Sequence, residues 1–294
     1  MGFILASLLS CAAEPETEPS IDDPVGSKAD DPASAACQPV TPQQDPVALV
    51  TACQHLAGTN INGKLECIAG GSPSANPQAL VSACTGVLTG TNINGTLDCI
   101  RGGAKSEVPT ELVTACEHLS GTNINGKLGC ITGAAISPKP QALVSACTGV
   151  LTGTNISGNL SCITRGARSE QPTELVTACE HLAGTNINGK LDCIGGASLS
   201  PAPQALITAC TSVLTGTNIS GVLQCIRGGS RSDVPTELVT ACEHLPGTNI
   251  NGKLDCIAGA SPSPRPQDLV SACTGILTGA NINGILDCIA NRVD

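Results

Sequence analysis

The chain predicts an all-α fold, a disulfide-stapled solenoid of eight helical hairpins. Three observations carry that expectation. The stretch GTNINGKLEC at Gly58–Cys67 returns seven times with light variation, the last copy being GANINGILDC at Gly279–Cys288. Each copy follows P-x-x-L-(V/I)-(T/S)-A-C, as in Pro46–Cys53 and Pro266–Cys273, so one small unit recurs through the array. Sixteen of the 18 cysteines fall two per unit. With Phe3 the only aromatic residue, the core has to be built from small aliphatic side chains. A single unit then buries too little apolar area to offset its ordering entropy, and neighbours and cross-links have to supply the rest.

Residues 1–10, MGFILASLLS, are apolar and uncharged and too short to span a bilayer. They read as a signal segment. Leu8-Leu9-Ser10-Cys11 resembles the lipobox of bacterial lipoproteins. That resemblance implies cleavage before Cys11, lipidation of Cys11 as a membrane anchor and, with Ala12 next, an outer-membrane lipoprotein on the extracellular face of the envelope. A secreted protein is the alternative. Residues 11–44 are acidic and Pro-rich; residues 1–44 hold seven acids against one base. Such a composition does not pack and predicts a flexible tether. Cys37 lies in it, free or opposite the first repeat.

The array occupies residues 45–294. Proline stands seven residues before the first cysteine of every unit, from Pro46 to Pro266, at the first turn of a helix, where its missing N–H costs nothing. Asp45 and Asn76 precede it as candidate N-caps, and Glu111, Glu174 and Glu237 suit the positive helix end. Leu49, Val50, Cys53 and Leu56 form one apolar stripe, and Gly58 is placed to stop the helix at C′. The second half reads as a helix with Thr59 as N-cap, Ile61, Leu65 and Ile68 facing inward and Gly70 at its end. It also reads as a short strand, because Asn62-Gly63 is a hairpin signal, which would give an α/β solenoid. Ser157 and Ser220 replace that asparagine in two copies and favour the helix. Gly63, four residues before Cys67, is expected to let a neighbouring helix approach.

Antiparallel neighbours place the two cysteines of a unit within bridging reach. The expected pairs are Cys53–Cys67, Cys84–Cys99, Cys116–Cys130, Cys147–Cys162, Cys179–Cys193, Cys210–Cys225, Cys242–Cys256 and Cys273–Cys288, each closing a loop whose chain entropy is worth about 3 kcal/mol. A rival linkage joins neighbouring units, Cys67–Cys84 and onward, at a constant interval of seventeen, whereas the internal interval alternates between fourteen and fifteen. That alternation makes the true period a 63-residue double unit, present four times. Eight hairpins at about 8–10 Å per helix predict a stack some 70–80 Å long.

Zinc-type cysteine spacing is absent. His55, His118, His181 and His244 each follow a cysteine by two residues, too far apart to share a metal, and read as a solvated row; with Glu117, Glu180 and Glu243 nearby they could tune a pH-sensitive contact. Arg101/Lys105, Arg165/Arg168 and Arg227/Arg231 recur beside Glu107, Glu170 and Asp233 and read as solvated linkers with local ion pairs. Asn155, Asn159 and Asn218 match the N-glycosylation sequon. A formal charge of −10 argues against nucleic acid. The GGA and GGS stretches are expected to follow a helix end and hold no phosphate. In outline the array resembles the Sel1-like and tetratricopeptide solenoids, an architectural resemblance without transferable site residues. The expectation is a non-enzymatic scaffold or envelope spacer, without cofactor or metal, binding an unknown protein or glycan at the cell surface. A multi-headed inhibitor or toxin-like effector is the alternative.

Overall fold

The computed structural model describes residues 46–214, 216–277 and 281–291. The leader, Cys11, the tether, Cys37 and Asp45 lie outside the described residues. Among the described residues there are sixteen helices and no strand, so the second half of each unit is helical. The hairpins pair α1 (Pro46–Gln54) with α2 (Ile61–Gly71), α3 (Pro77–Gly86) with α4 (Ile93–Gly103), α5 (Pro109–Glu117) with α6 (Ile124–Ala134), and α7 (Pro140–Ser145) with α8 (Ile156–Gly166). They continue with α9 (Pro172–Glu180) and α10 (Ile187–Ala197), α11 (Pro203–Thr208) and α12 (Ile219–Gly229), α13 (Pro235–Glu243) and α14 (Ile250–Ala260), and α15 (Pro266–Ile276) and α16 (Ile282–Asn291). Odd-numbered helices pack on odd and even on even, giving the two layers of an α-solenoid.

The core is a column between the layers. Each inner hairpin gives it a leucine four residues before the first cysteine and an isoleucine just after the second, such as Leu80 with Ile100 and Leu175 with Ile194, all fully buried. The disulfides lie beside them. All eight close within a hairpin, at Cα–Cα distances of 5.6–5.8 Å. Cys67 therefore meets Cys53 and not Cys84. Disulfides at this density belong to an oxidising, extracellular type of environment. No described helix is long and apolar enough to cross a membrane.

Four local expectations need correction. The N-cap of the second helix is Asn60 and not Thr59: the Gly63 N–H donates to Asn60 Oδ1 at 3.0 Å, while the Thr59 hydroxyl donates to Leu56 O. Gly63 serves that same cap. A Cβ there would stand 3.0 Å from Thr59 Cγ2, and no neighbouring helix comes that near. Gly58, at φ +76°, lies four residues beyond the end of α1, inside a six-residue loop, so it turns the loop and does not terminate the helix. Asn76 makes no side-chain cap.

A serine three residues before each inner proline does that work instead. Ser169 donates its N–H to Gly166 O at 3.0 Å, and its Oγ accepts from Gln171 N at 3.1 Å, turning the chain from one hairpin into the next. Ser74, Ser106, Ser137, Ser200, Ser232 and Ser263 accept in the same way.

The extra residue of the long hairpins also has a structural answer. In short hairpins Leu119 N bonds to Cys116 O, three residues back; in the first three long ones Leu88, Leu151 and Leu214 bond five back, as Leu151 N to Ala146 O, and in the last Leu277 N bonds to Cys273 O, four back. In two of the four long hairpins the π-turns Ala146–Val150 and Ala209–Val213 absorb the insertion. Leu119 and Leu151 both stay 3 % exposed, in the same core slot.

Candidate functional site

Two kinds of junction alternate along the stack, and the residue after the first cysteine decides which. Where a short hairpin follows a long one, that residue is Glu117, Glu180 or Glu243. The Thr89 amide donates to Glu117 Oε2 at 3.2 Å and its hydroxyl to Oε1, while Lys127 Nζ lies 2.9 Å from Oε1. Burial pushes this carboxyl up. The Thr89 bonds and the Lys127 ammonium pull harder and hold it below the usual carboxylate range. Thr152 and Lys190 do the same to Glu180 against the same burial. Lys253 pairs with Glu243 at 3.0 Å. Gln54 takes this position in α1, which no described hairpin precedes.

Where a long hairpin follows a short one, the corresponding residue is a threonine turned onto its own helix. The Thr85 hydroxyl donates to Val81 O at 2.8 Å, and Thr148, Thr211 and Thr274 repeat the bond. With no acid to bridge them, the α1–α3 and α9–α11 junctions open into grooves. Between α1 and α3 the groove measures about 770 Å³, with Leu56, Val81 and Ile93 lining it beside Thr51, His55 and Gln78. A groove of about 730 Å³ between α9 and α11 repeats it 126 residues later, with Leu182, Ile207, Ile219, Thr177, His181 and Gln204 in the same places. His181 Nδ1 lies 2.7 Å from Thr177 O, a carbonyl that only accepts, so Nδ1 carries the proton. His118 and His244 make the same bond. His118, His181 and His244 are thus exposed helix-end caps, and His55 and His181 line the grooves. Among the described residues no group of three or more His, Cys, Asp or Glu could hold a metal ion.

The even-helix face carries a different surface. Two clefts, of about 1090 Å³ and 560 Å³, share Arg165 and Gly195. Lys105, Ile136 and Arg168 line the first; Leu199, Arg231 and Pro262 line the second. These six hold one repeat position, the residue just before the linker serine. The bases were expected to neutralise the acids beside them in sequence, and the structure parts them instead. Glu107, Glu170 and Asp233 line neither cleft, and among the described residues no ion pair joins them to Lys105, Arg168 or Arg231. Arg101, paired with Asp98, and Arg165, paired with Asp192, line the same clefts from within the helices.

The double glycines lie inside the last helical turn rather than after it. A Cβ on Gly103 would come 2.8 Å from Leu80 Cδ1 and 3.5 Å from Ile131 Cγ2. Of the sequon asparagines, Asn155 and Asn218 cap α8 and α12, and Asn159 accepts from Thr154. The linker serines and the groove floor went unnoticed in the sequence; the recurring S-x-x-P was the available signal for the first. No family model, no curated protein and no solved structure matches the chain.

Proposed function

We propose that the chain is a non-enzymatic binding scaffold of the cell surface, displayed through a lipid on Cys11 and the acidic tether. Its odd-layer grooves take an uncharged stretch of protein or glycan. The observation that carries this reading is the recurrence of one groove at a displacement of 126 residues, with the same hydroxyl, amide and imidazole groups over the same aliphatic floor. A periodic ligand can engage equivalent grooves together and gain avidity without any new kind of contact. The stapled hairpins keep the groove walls in place before the ligand arrives, which lowers the cost of ordering them. The lipobox resemblance of Leu8–Cys11 supports the surface address, as does the oxidising environment of the disulfides. The inhibitor alternative has less support, because reactive loops should diverge, and the hairpin loops differ at only a few positions such as Ala57, Ser120, Ala183 and Pro246.

The test fills the grooves. Ser82→Trp and Thr208→Trp together place bulk at two equivalent lining positions. The unmodified protein, immobilised at low density, should retain a defined protein or glycan from the surface fraction of its own cell, and the filled variant should not. Equal capture by both would overturn the groove as the binding site. Palmitate incorporation that survives Cys11→Ser would remove the anchor.

A further inference from the structure

We propose that the even-helix face is a second interaction surface, which lies against an anionic lipid bilayer. At the position before the linker serine the first seven units carry Pro73, Lys105, Ile136, Arg168, Leu199, Arg231 and Pro262, all exposed. Bases and apolar side chains therefore alternate along one ridge, at the pitch of packed helices, about 8–10 Å. Ile136 is 48 % exposed and Leu199 51 %, among the few large aliphatic side chains left open to solvent. They sit in the same clefts as the bases, so apolar and cationic groups meet one partner.

The charge of the two clefts opposes that of the chain, the exposed even-helix acids Glu66, Asp255 and Asp287 lying outside them. The two clefts are lined by six bases and by two acids, Asp98 and Asp192, a balance of +4 in a protein of formal charge −10. Both acids are engaged, by Arg101 and Arg165. The odd-layer acids Glu111, Glu174 and Glu237 belong to the other layer. The linker acids nearest in sequence, Glu107, Glu170 and Asp233, line neither cleft.

What distinguishes a bilayer from a soluble polyanion is the aliphatic half of the ridge. An acidic glycan or polyphosphate gains nothing from Ile136 and Leu199 and would be served by an unbroken row of bases. An anionic lipid surface offers phosphates to Lys105, Arg168 and Arg231 and an apolar boundary to the side chains between them. The face does not depend on the odd-layer grooves.

The experiment is vesicle co-sedimentation of the full chain carrying Cys11→Ser, so that no acyl anchor can form there. The probes are phosphatidylcholine vesicles with and without phosphatidylglycerol. Partition should require the anionic lipid and fall as salt rises. Lys105→Gln, Arg168→Gln and Arg231→Gln should each weaken it about fivefold, and Ile136→Ser with Leu199→Ser should weaken it further. Circular dichroism checks that each variant keeps its helices; should a variant lose them, the salt titration of the Cys11→Ser chain decides alone. No partition onto anionic vesicles would overturn the proposal. It would equally be overturned if a soluble acidic polysaccharide competed fully while the serine pair bound like the parent, since the ligand would then be a plain polyanion. Ser82→Trp with Thr208→Trp should leave partition unchanged, which keeps this result separate from that of the grooves.

Discussion

At the scale of single residues, asparagine does most of the local work. Asn186 caps α10 through the Gly189 N–H at 3.1 Å, and the same bond opens every second helix of the array. Asn186→Ala should cost about 1 kcal/mol by urea unfolding. Thr185→Ala should cost less, because the Thr185 hydroxyl only returns to Leu182 O. The opposite ranking would restore the threonine as cap. This is where sequence reading fails for a physical reason. Threonine and asparagine are both competent N-caps, and only the position of the third amide chooses between them. The proline at N1 was legible because its ring admits few positions in a helix. The linker serine was not, since a buried hydroxyl accepting from an amide two residues on looks in sequence like any loop serine.

Charge adds a second residue-scale effect. Glu117 and Glu180 are held below the usual carboxylate range in the folded protein. As pH falls, the unfolded carboxyls take up protons first. The stability these groups contribute is therefore complete above the ordinary carboxylate range and is lost as pH passes down through the lowered folded values. Glu117→Gln with Glu180→Gln should flatten the acid limb of a plot of urea midpoint against pH. An unchanged limb would show that the junction carboxylates do not couple to folding.

At the scale of elements, small residues at the end of each even helix set how closely the layers meet. The position of Gly103 is alanine in α6, α10 and α14, and it faces the leucine of its own hairpin's odd helix and the isoleucine of the next even helix. Gly103→Ala should be neutral or stabilising by up to about 1 kcal/mol, because the helix gains propensity and the flexible end of Leu80 can yield. Gly103→Val should cost about 1–3 kcal/mol by overpacking. Thermal melts of the two variants check this, and equal tolerance would mean the layers are loosely packed there. Helix existence was readable from periodicity at this scale, and the apolar stripe only in part: Leu49, Cys53 and Leu56 are buried, whereas Val50, Ile61 and Leu65, also expected to face inward, are exposed at the open end of the stack. The π-turn was readable only as an extra residue: the alternation of fourteen and fifteen between cysteines announced an insertion, and the need to keep Leu151 in its slot explains where it went.

At the scale of the whole array, function follows from register. Residues 31 or 32 apart stand side by side, so one position per unit becomes a ridge and one substitution per double unit becomes an alternating set of junctions. A linear reading puts Lys105 beside Glu107, and the folded chain puts it beside Ile136 in one cleft. That is why the candidate surfaces were hidden while the solenoid was not. The central claim is that aliphatic hairpins without an aromatic core hold their shape because each carries its own sulfur bridge. The most direct measurement is far-UV circular dichroism of the array before and after complete reduction and alkylation. Loss of most helical signal at a temperature where the oxidised protein is fully folded is the result expected; an unchanged spectrum and melting temperature would contradict it.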